Sequence, residues 1–285
     1  MRCSAFLLLA LALATTSCDY VDDPTPPGTG GGNNGGETVK RRALLEEFTG
    51  HRCNTCPAAH QVAANLASVY GDDLIIVAVH ATDFFAAPLD PPAPNGAYST
   101  DFRTTAGEAY TQSFSVSFLP TGLVNRVPYN SSSTISSGNW SSAIAQIVDE
   151  DAALDVWVSD IVHNATANTV SAEVKVAVLQ AVTGTYNLTV YLTEDHVIDW
   201  QLNSLVSPPD VEFYDHRHVL RTNLNGTWGT LVEIGTAAVG DTLTKTFSDI
   251  AMDPSWNAAN CELVAYVYNT TTNEVLQAAE RKFQP

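Results

Sequence analysis

The sequence predicts an α/β domain followed by an all-β domain of antiparallel strands. Around residues 43–79 a strand, a helix and a second strand follow one another. The second strand, Leu74 to Val79, is apolar without alternation, as in parallel strands buried on both faces. From residue 155 onward apolar and polar residues alternate with a period of two, which is typical of half-buried antiparallel strands. The chain of 285 residues is long enough for two cores of ordinary size.

The first predicted strand, Ala43 to Phe48, stops at Gly50. A helix is predicted from Asn54 to Tyr70, because apolar residues recur there every three or four positions. Pro57 falls in its first turn, where proline is tolerated, and Gly71 follows as a C-terminal cap. Together with the strand at residues 74–79, these elements predict a right-handed strand–helix–strand crossover.

The rest of the first domain is predicted to contain two more helices and a short strand. The helices run from Thr100 to Gln112 and from Trp140 to Val148. Between them, Pro120 heads a short apolar strand, where proline is tolerated sterically. A cis peptide bond is compatible with this position, but the sequence does not determine the isomer.

The second domain is predicted to be a β-sandwich of about seven short strands. Two strands alternate strongly, and two more flank the polar loop at residues 269–273, which suits a hairpin. The predicted strands cover Val156 to Val162, Val170 to Val178, Tyr186 to Leu192, Val219 to Asn223, Leu243 to Phe247, Glu262 to Tyr268 and Glu274 to Arg281.

The N-terminal residues are predicted to export and anchor the chain. Residues 1–17 contain an apolar run, Ala5 to Ala14, that is too short for a membrane span and fits a secretory signal peptide. Cys18 follows it and resembles the lipidated cysteine of bacterial lipoproteins, which carries a diacylglyceryl anchor with palmitate-type chains. Ordinary cleavage nearby is the alternative. Residues 18–39 predict a flexible tether, 40–150 the first domain and 151–285 the second.

The charge of the chain excludes some partners. With 31 acidic and 13 basic residues, the formal net charge is −18. Such a chain repels phosphate backbones and anionic lipid headgroups, so we predict no nucleic-acid partner. Contact with the membrane is assigned to the lipid anchor alone.

Cys53 and Cys56 are the residues most indicative of chemistry, because two residues between cysteines is a redox spacing. Next to a helix N-terminus and Arg52, the Cys53 thiolate is favoured and can attack a disulfide, and Cys56 can resolve the product. The alternative is a static disulfide that protects a loop. A third interpretation is a metal site shared with His60 and His51, although structural zinc usually joins separated segments.

The remaining candidate histidines and Cys261 are interpreted as residues without a chemical role. His216 and His218 would face one way on a strand, a common start to a metal site. The candidates for a third ligand, Asp195, His196, Asp210 and Asp215, fall in an irregular, loop-like stretch, so we interpret the two histidines as polar strand residues. We interpret His60 as an exposed histidine and Cys261 as a buried apolar residue. We therefore predict no metal and no cofactor.

The order of elements and the cysteine pair resemble thioredoxin. In that family an apolar residue and a cis-proline face the disulfide, and a buried acid lies six residues before the first cysteine. The resemblance implies catalytic roles for Cys53, Cys56, Pro120 and Glu47, with Leu119 and Thr121 contacting a substrate chain that lies across two solvent-open sulfurs. Arg52, Asn54 and Thr55 differ from thioredoxin, so the resemblance does not imply a redox potential.

A resemblance over nearly the whole chain is to the lipoproteins related to the 28-kilodalton outer membrane protein. It is carried by the lipoprotein signal, the Gly-rich tether, the run from Glu47 to Pro57, the run from Leu119 to Arg126, and the β-rich second half. The resemblance implies a thioredoxin-like N-terminal domain followed by an antiparallel β-sandwich. It also implies a lipid-anchored location at the Gram-negative outer membrane, with the leaflet left open.

Two functions follow as expectations. The first is a thiol–disulfide oxidoreductase that acts on exported protein thiols or disulfides through the CxxC pair. The second is a surface adhesion or scaffold lipoprotein that keeps the pair as a structural disulfide, because a fold does not guarantee chemistry. Either function allows an unidentified surface or periplasmic protein partner.

Overall fold

A computed structural model describes residues 38–283 of the chain. The predicted signal peptide, Cys18 and almost all of the predicted tether lie outside the described residues. Within them, no helix combines the length and the apolar character needed to cross a bilayer. The strands are β1 (Ala43–Thr49), β2 (Leu74–His80), β3 (Thr121–Val124), β4 (Leu154–Asn164), β5 (Thr169–Val178), β6 (Tyr186–Glu194), β7 (Val197–Leu202), β8 (Asp210–His216), β9 (Val219–Asn223), β10 (Thr230–Val232), β11 (Thr242–Ala251), β12 (Cys261–Asn269) and β13 (Val275–Lys282).

The predicted helices are confirmed with small shifts at their starts. The α-helices are α1 (Cys56–Tyr70), α2 (Asp83–Ala86), α3 (Thr105–Ser113) and α4 (Trp140–Val148). The helix α3 begins five residues later than predicted, because the Thr104 hydroxyl accepts a hydrogen bond from Gly107 N and caps it there. The one-turn helix α2 was not predicted.

The predicted strand–helix–strand unit with parallel strands is confirmed, and its sheet continues into the second half of the chain. The strand β1 pairs in parallel with β2 and antiparallel with β3. One eight-stranded sheet has the order β13-β12-β6-β9-β2-β1-β3, with β10 also paired to β6. The strand β9 joins the halves, since it pairs in parallel with β2 and antiparallel with β6. The division at residue 150 therefore stays a prediction from sequence pattern.

The second half forms the predicted antiparallel β-sandwich. A three-stranded sheet, in the order β11-β5-β4, packs on the far end of the large sheet. Their inner faces bury the alternating apolar residues, as the period-two pattern requires. The shared core includes Val156, Val174, Val176, Leu188, Val190, Leu263 and Val267.

One hairpin stands apart from both sheets. The strands β7 and β8 pair only with each other, in an antiparallel two-stranded sheet. The prediction of an irregular stretch is wrong for Asp210 and Asp215, which lie on β8, whereas Asp195 and His196 lie outside the strands. The pairing has a register shift between Asp199 and Gln201, which explains why no regular alternation marks the two strands in the sequence.

A buried ion pair in the first half is hydrogen-bonded to side chains of the second half. The Arg126 guanidinium donates two hydrogen bonds of 2.7 Å to the Glu46 carboxylate, and both side chains are almost fully buried. Arg126 also donates to the hydroxyls of Tyr191 and Tyr266, at 3.1 and 2.8 Å, and these belong to the second half. Four aromatic rings lie about the guanidinium, those of Tyr110, Phe114, Tyr266 and Tyr268.

The neighbouring residue, Asn125, ties three strands together. Its side chain accepts from Leu44 N at 2.7 Å and donates to the carbonyls of Arg42 and Val275 at 3.1 Å. Both Asn125 and Arg126 adopt positive φ angles, of 46° and 57°. Such angles are costly for a long side chain such as arginine, so the bonds around this corner must hold the backbone in place.

We predict that Arg126→Met will strongly destabilise the fold. Removal of the guanidinium leaves the Glu46 carboxylate buried without its partner, which costs about 3 to 5 kcal/mol. Urea unfolding of the wild type and the variant measures the difference. As a control, Asp151→Asn breaks the solvent-exposed pair with Lys40 and should change stability little. Equal effects of the two substitutions would contradict the prediction.

Candidate functional site

Cys53 and Cys56 form a disulfide in the loop between β1 and α1. Their Cα atoms are 5.4 Å apart, and Cys56 is the first residue of α1. The prediction of a helix N-terminus at the cysteine pair is therefore confirmed for Cys56, and Cys53 lies three residues before it. Gly50 begins the loop at a point where an added Cβ would lie 2.6 Å from the Phe85 carbonyl oxygen, so this close approach requires glycine.

Both cysteines are buried, and the expectation of solvent-open sulfurs is wrong for this conformation. Cys53 is 1% exposed and Cys56 is 0% exposed. The β7–β8 hairpin packs against their loop. Leu202 N donates to His51 O at 2.8 Å, and Ser204 N donates to Asn54 O at 2.9 Å. The sequence carries no local signal for this cover, because the hairpin lies about 150 residues beyond the cysteines and its strands show no regular alternation.

A buried side chain adds to the same contact. The Gln201 amide nitrogen lies 3.3 Å from Gly50 O, 3.1 Å from Cys53 O and 2.8 Å from Leu202 O. Gln201 is fully buried. The hairpin thus contacts the cysteine loop through two main-chain N–H groups and one amide, on both sides of Cys53.

The predicted substrate-contacting residues lie at the same edge of the sheet. The Leu119–Pro120 bond is cis, and Phe48 is opposite Thr121 in the β1–β3 register. Pro120 therefore adjoins the end of β1, from which the cysteine loop departs. Leu119 and Pro120 are partly exposed, whereas Thr121 is buried and its hydroxyl donates to Ile135 O. Their roles in catalysis or substrate binding stay predictions.

Glu47 is buried on β1, at 2% exposure. Burial raises the pKa of its carboxyl from 4.5 to about 8. Its Oε1 lies 3.7 Å from His60 Nε2, and no group within residues 38–283 hydrogen-bonds this oxygen. His60 follows Cys56 by one helical turn, so both face the sheet on the same side of α1. Glu47 therefore lies under the first turns of the helix that carries Cys56.

The prediction of an exposed His60 is wrong. Its side chain is 20% exposed, and its two ring nitrogens lie 2.7 Å from the hydroxyls of Thr49 and Tyr214. Burial, with a smaller effect of His216, lowers the pKa of His60 to about 3, so the ring is neutral. Tyr214 belongs to β8, so the covering hairpin also contacts the imidazole beside Glu47.

A cavity of about 240 Å³ lies between α1, β2 and the end of β8. Its lining includes Glu47, His60, His80, Tyr214 and His216. Burial is the main cause that lowers the pKa of His216 to about 4 and that of His80 well below its usual value. Within the described part of the chain, no group of three or more His, Cys, Asp or Glu side chains has metal-binding geometry.

The expected pairing of His216 and His218 on one strand is wrong. The strand β8 ends at His216, which is buried, and His218 turns away with a φ of 53°. His218 N instead donates to the Asp195 carboxylate at 2.7 Å. Cys261 behaves as predicted, because it is 1% exposed and burial raises its thiol pKa to about 12.

Comparison with solved structures supports the fold. HBP35 of Porphyromonas gingivalis is 18% identical, with a TM-score of 0.62 over 86% of this chain and 76% of that one. A structural-genomics target protein of Agrobacterium tumefaciens is 12% identical, with a TM-score of 0.51 over 87% and 99%. At these identities the likeness concerns the fold alone.

A third similar structure covers less of the chain. It is a domain of the outer membrane lipoprotein Omp28 from Porphyromonas gingivalis, 21% identical over 47% of this chain and 90% of that one, with a TM-score of 0.31. None of the curated proteins matches the sequence.

The family comparison covers most of the chain. The model of the family described as outer membrane protein Omp28 matches residues 107–285, which include the Leu119 to Arg126 run, the covering hairpin and the β-sandwich. The chain therefore belongs to the Omp28 family of outer membrane lipoproteins.

Proposed function

We propose that this lipoprotein is a thiol–disulfide oxidoreductase that acts on thiols or disulfides of other exported proteins. The observation that carries the proposal is the buried Glu47 carboxyl under the helix that begins at Cys56, with a pKa of about 8. A carboxyl that titrates near neutral pH can exchange a proton with a cysteine during catalysis. Cys18 attaches the protein to the membrane through acyl chains, after removal of residues 1–17.

The reaction has two steps. In the reduced protein, the Cys53 thiolate attacks one sulfur of a substrate disulfide, and the other substrate sulfur leaves as a thiolate. Glu47 takes the proton of the Cys56 thiol. The Cys56 thiolate then attacks Cys53 Sγ, which forms the Cys53–Cys56 disulfide and releases the second substrate sulfur. The substrate gains two electrons, the cysteine pair loses them, and the reverse sequence oxidises a substrate dithiol.

The surrounding residues support this assignment of roles. His60 is neutral and bonded on both ring nitrogens, so it does not compete with Glu47 for the proton of a cysteine near neutral pH. Pro120 immediately precedes the first residue of β3, beside the start of the cysteine loop. Because both sulfurs are buried, substrate reaches Cys53 only after the β7–β8 hairpin has moved from the loop.

A second function is favoured by that burial. In a scaffold or adhesion lipoprotein, the same disulfide would hold the loop against the hairpin permanently, and no substrate would enter. Such a protein needs no reactive thiol, and its surface would bind an unidentified protein partner after loss of both sulfurs. The two functions differ in measurable ways.

We predict that the reduced protein will reduce a model protein disulfide with dithiothreitol as electron source, and that Cys53→Ser will abolish this activity. Glu47→Gln should slow turnover at pH 7 by about 100-fold, because the proton acceptor for Cys56 is lost. The exposed Glu233→Gln is the matched control and should leave the rate unchanged. Activity in Cys53→Ser equal to that of the wild type would exclude the mechanism.

We also predict a pH-dependent stability difference between the oxidised wild type and Glu47→Gln. The raised pKa of Glu47 means that the folded protein holds its proton up to about pH 8, whereas the unfolded chain loses it near pH 4.5. The contribution of Glu47 to stability is therefore complete below pH 4.5 and is lost as pH rises towards 8. Glu47→Gln, which cannot ionise, should gain stability relative to the wild type across that window, by up to about 1.4 kcal/mol per pH unit. Urea unfolding at several pH values measures this, and a constant difference would contradict it.

The reduction potential of the Cys53–Cys56 pair separates the two functions. An oxidoreductase should equilibrate with glutathione or a similar buffer, whereas a structural disulfide has a potential below about −300 mV. Equilibration of the protein with a series of dithiothreitol ratios, followed by thiol alkylation, gives the value. A potential below that limit would favour the scaffold function.

A further inference from the structure

The segment of β7–β8 that touches the cysteine loop bonds to it through main-chain donors, as a docked peptide can. Leu202, the last residue of β7, and Ser204, in the turn that follows, donate their main-chain N–H groups to the carbonyls of His51 and Asn54. A peptide that docks on a protein surface offers the same main-chain donors. The two acceptors flank Cys53, so the chain passes directly by the residue that would attack a substrate.

The tip of this hairpin beyond Ser204 is weakly held, whereas Gln201 is buried against the cysteine loop. The hairpin is a two-stranded sheet, and such a sheet is marginally stable on its own. Directly after Ser204, the apolar side chains of Leu205 and Val206 are about half exposed. Little apolar area is therefore buried there, and segments of this kind open at low free-energy cost.

The base of the hairpin is held more firmly. Asp210 accepts a hydrogen bond of 2.6 Å from the Tyr98 hydroxyl, and Asp199 accepts one from Thr100. Tyr214 bonds His60, and His216 is buried beside His80. The contrast between a fixed base and a weakly buried tip favours a hinged movement of residues 201–206, in which the bonds of Gln201, Leu202 and Ser204 to the cysteine loop break.

We propose that residues 201–206 act as an autoinhibitory strap, and that the substrate is an extended polypeptide segment that replaces them on the carbonyls of His51 and Asn54. The proposal rests on the proposed function, because it names the regulation and the substrate class of the same cysteine pair. In the closed state the strap shields the disulfide from solvent thiols. In the open state the released carbonyls align an incoming chain beside Cys53.

Gln201→Ala tests the strap without any substrate. The substitution removes the amide contacts to Gly50 and Cys53 while the main chain of the strap stays intact. Reduction of the oxidised protein by a phosphine requires access to the sulfurs, so it should proceed about tenfold faster in the variant. The exposed Gln112→Ala in α3 is the matched control and should react like the wild type.

Hydrogen exchange of the oxidised wild type gives an independent readout. The amides of Leu202 and Ser204 should exchange well before those of the central strand β12, at a rate that does not depend on global unfolding. Equal protection of both groups, together with an unchanged reduction rate in Gln201→Ala, would show a fixed cover and overturn the strap.

The substrate class is tested with peptides that contain a mixed disulfide. Reduced Cys56→Ser should capture such a peptide on Cys53 as a stable adduct. Methylation of the peptide nitrogens on either side of its cysteine removes the donors to His51 and Asn54, and should slow capture about tenfold. Capture of cystamine, which has no peptide backbone, serves as the reference. Equal rates for the methylated and unmethylated peptides would overturn the assignment of an extended polypeptide substrate.

The two proposals fail separately. If Gln201→Ala is reduced faster but no variant exchanges thiols with any disulfide, the strap opens and the oxidoreductase function is wrong. If thiol–disulfide exchange is rapid while the strap amides stay as protected from hydrogen exchange as those of β12, the function stands and the autoinhibitory strap is wrong.

Discussion

The buried pair of Arg126 and Glu46 is the interaction on which the rest of the structure depends. Two opposite charges are removed from water, which is tolerable only with near-ideal geometry and further hydrogen bonds. The structure provides both, through the two 2.7 Å bonds and the hydroxyls of Tyr191 and Tyr266. Glu46 and Arg126 both belong to the first half, whereas the two tyrosines lie on β6 and β12 of the second half. Their hydroxyls reach the buried charges only when the two halves are joined, so the ion pair favours the packing of the sandwich against the α/β half.

The packing of the two halves against each other also determines what surrounds the cysteine pair. The chain leaves β6, forms the β7–β8 hairpin and returns as β9, which pairs with β2 at Ala78 and Val219. The hairpin is thus an insertion between two strands of the shared sheet, and its ends are fixed beside the end of β2. From there it extends over the loop that follows β1. An isolated α/β domain with the same residues 43–148 would have no such cover, so access to its disulfide would be controlled differently.

The sequence was sufficient where structure follows from local pattern. The parallel strand β2 followed from an unbroken apolar run, α4 from the spacing of Ile144 and Ile147, and the β12–β13 hairpin from alternation around a polar loop. It was insufficient where contacts join distant segments. The role of Arg126 depends on tyrosines 65 and 140 residues away, and the contact of Gln201 with Cys53 spans 148 residues. Neither contact produces a periodic pattern in the sequence. The register shift in β7–β8 also removes the regular alternation that would mark these two strands.

The hairpin that covers the disulfide and the buried Glu47 carboxyl favour different functions for this site. A permanently covered disulfide needs no group that titrates near neutral pH, and a buried carboxyl whose pKa is raised to about 8 lowers stability at that pH. A reactive disulfide, in contrast, needs the acid but also needs access. Movement of the strap meets both requirements, because the disulfide is covered in the closed state and accessible in the open state. The Arg126–Glu46 ion pair stays in place during this movement. The same movement would alter the surroundings of Glu47 if it reached Tyr214, since this β8 residue bonds the imidazole beside the carboxyl. Cover and acid are therefore linked through one hairpin, and the acid retained beneath a closed site is consistent with a cover that opens.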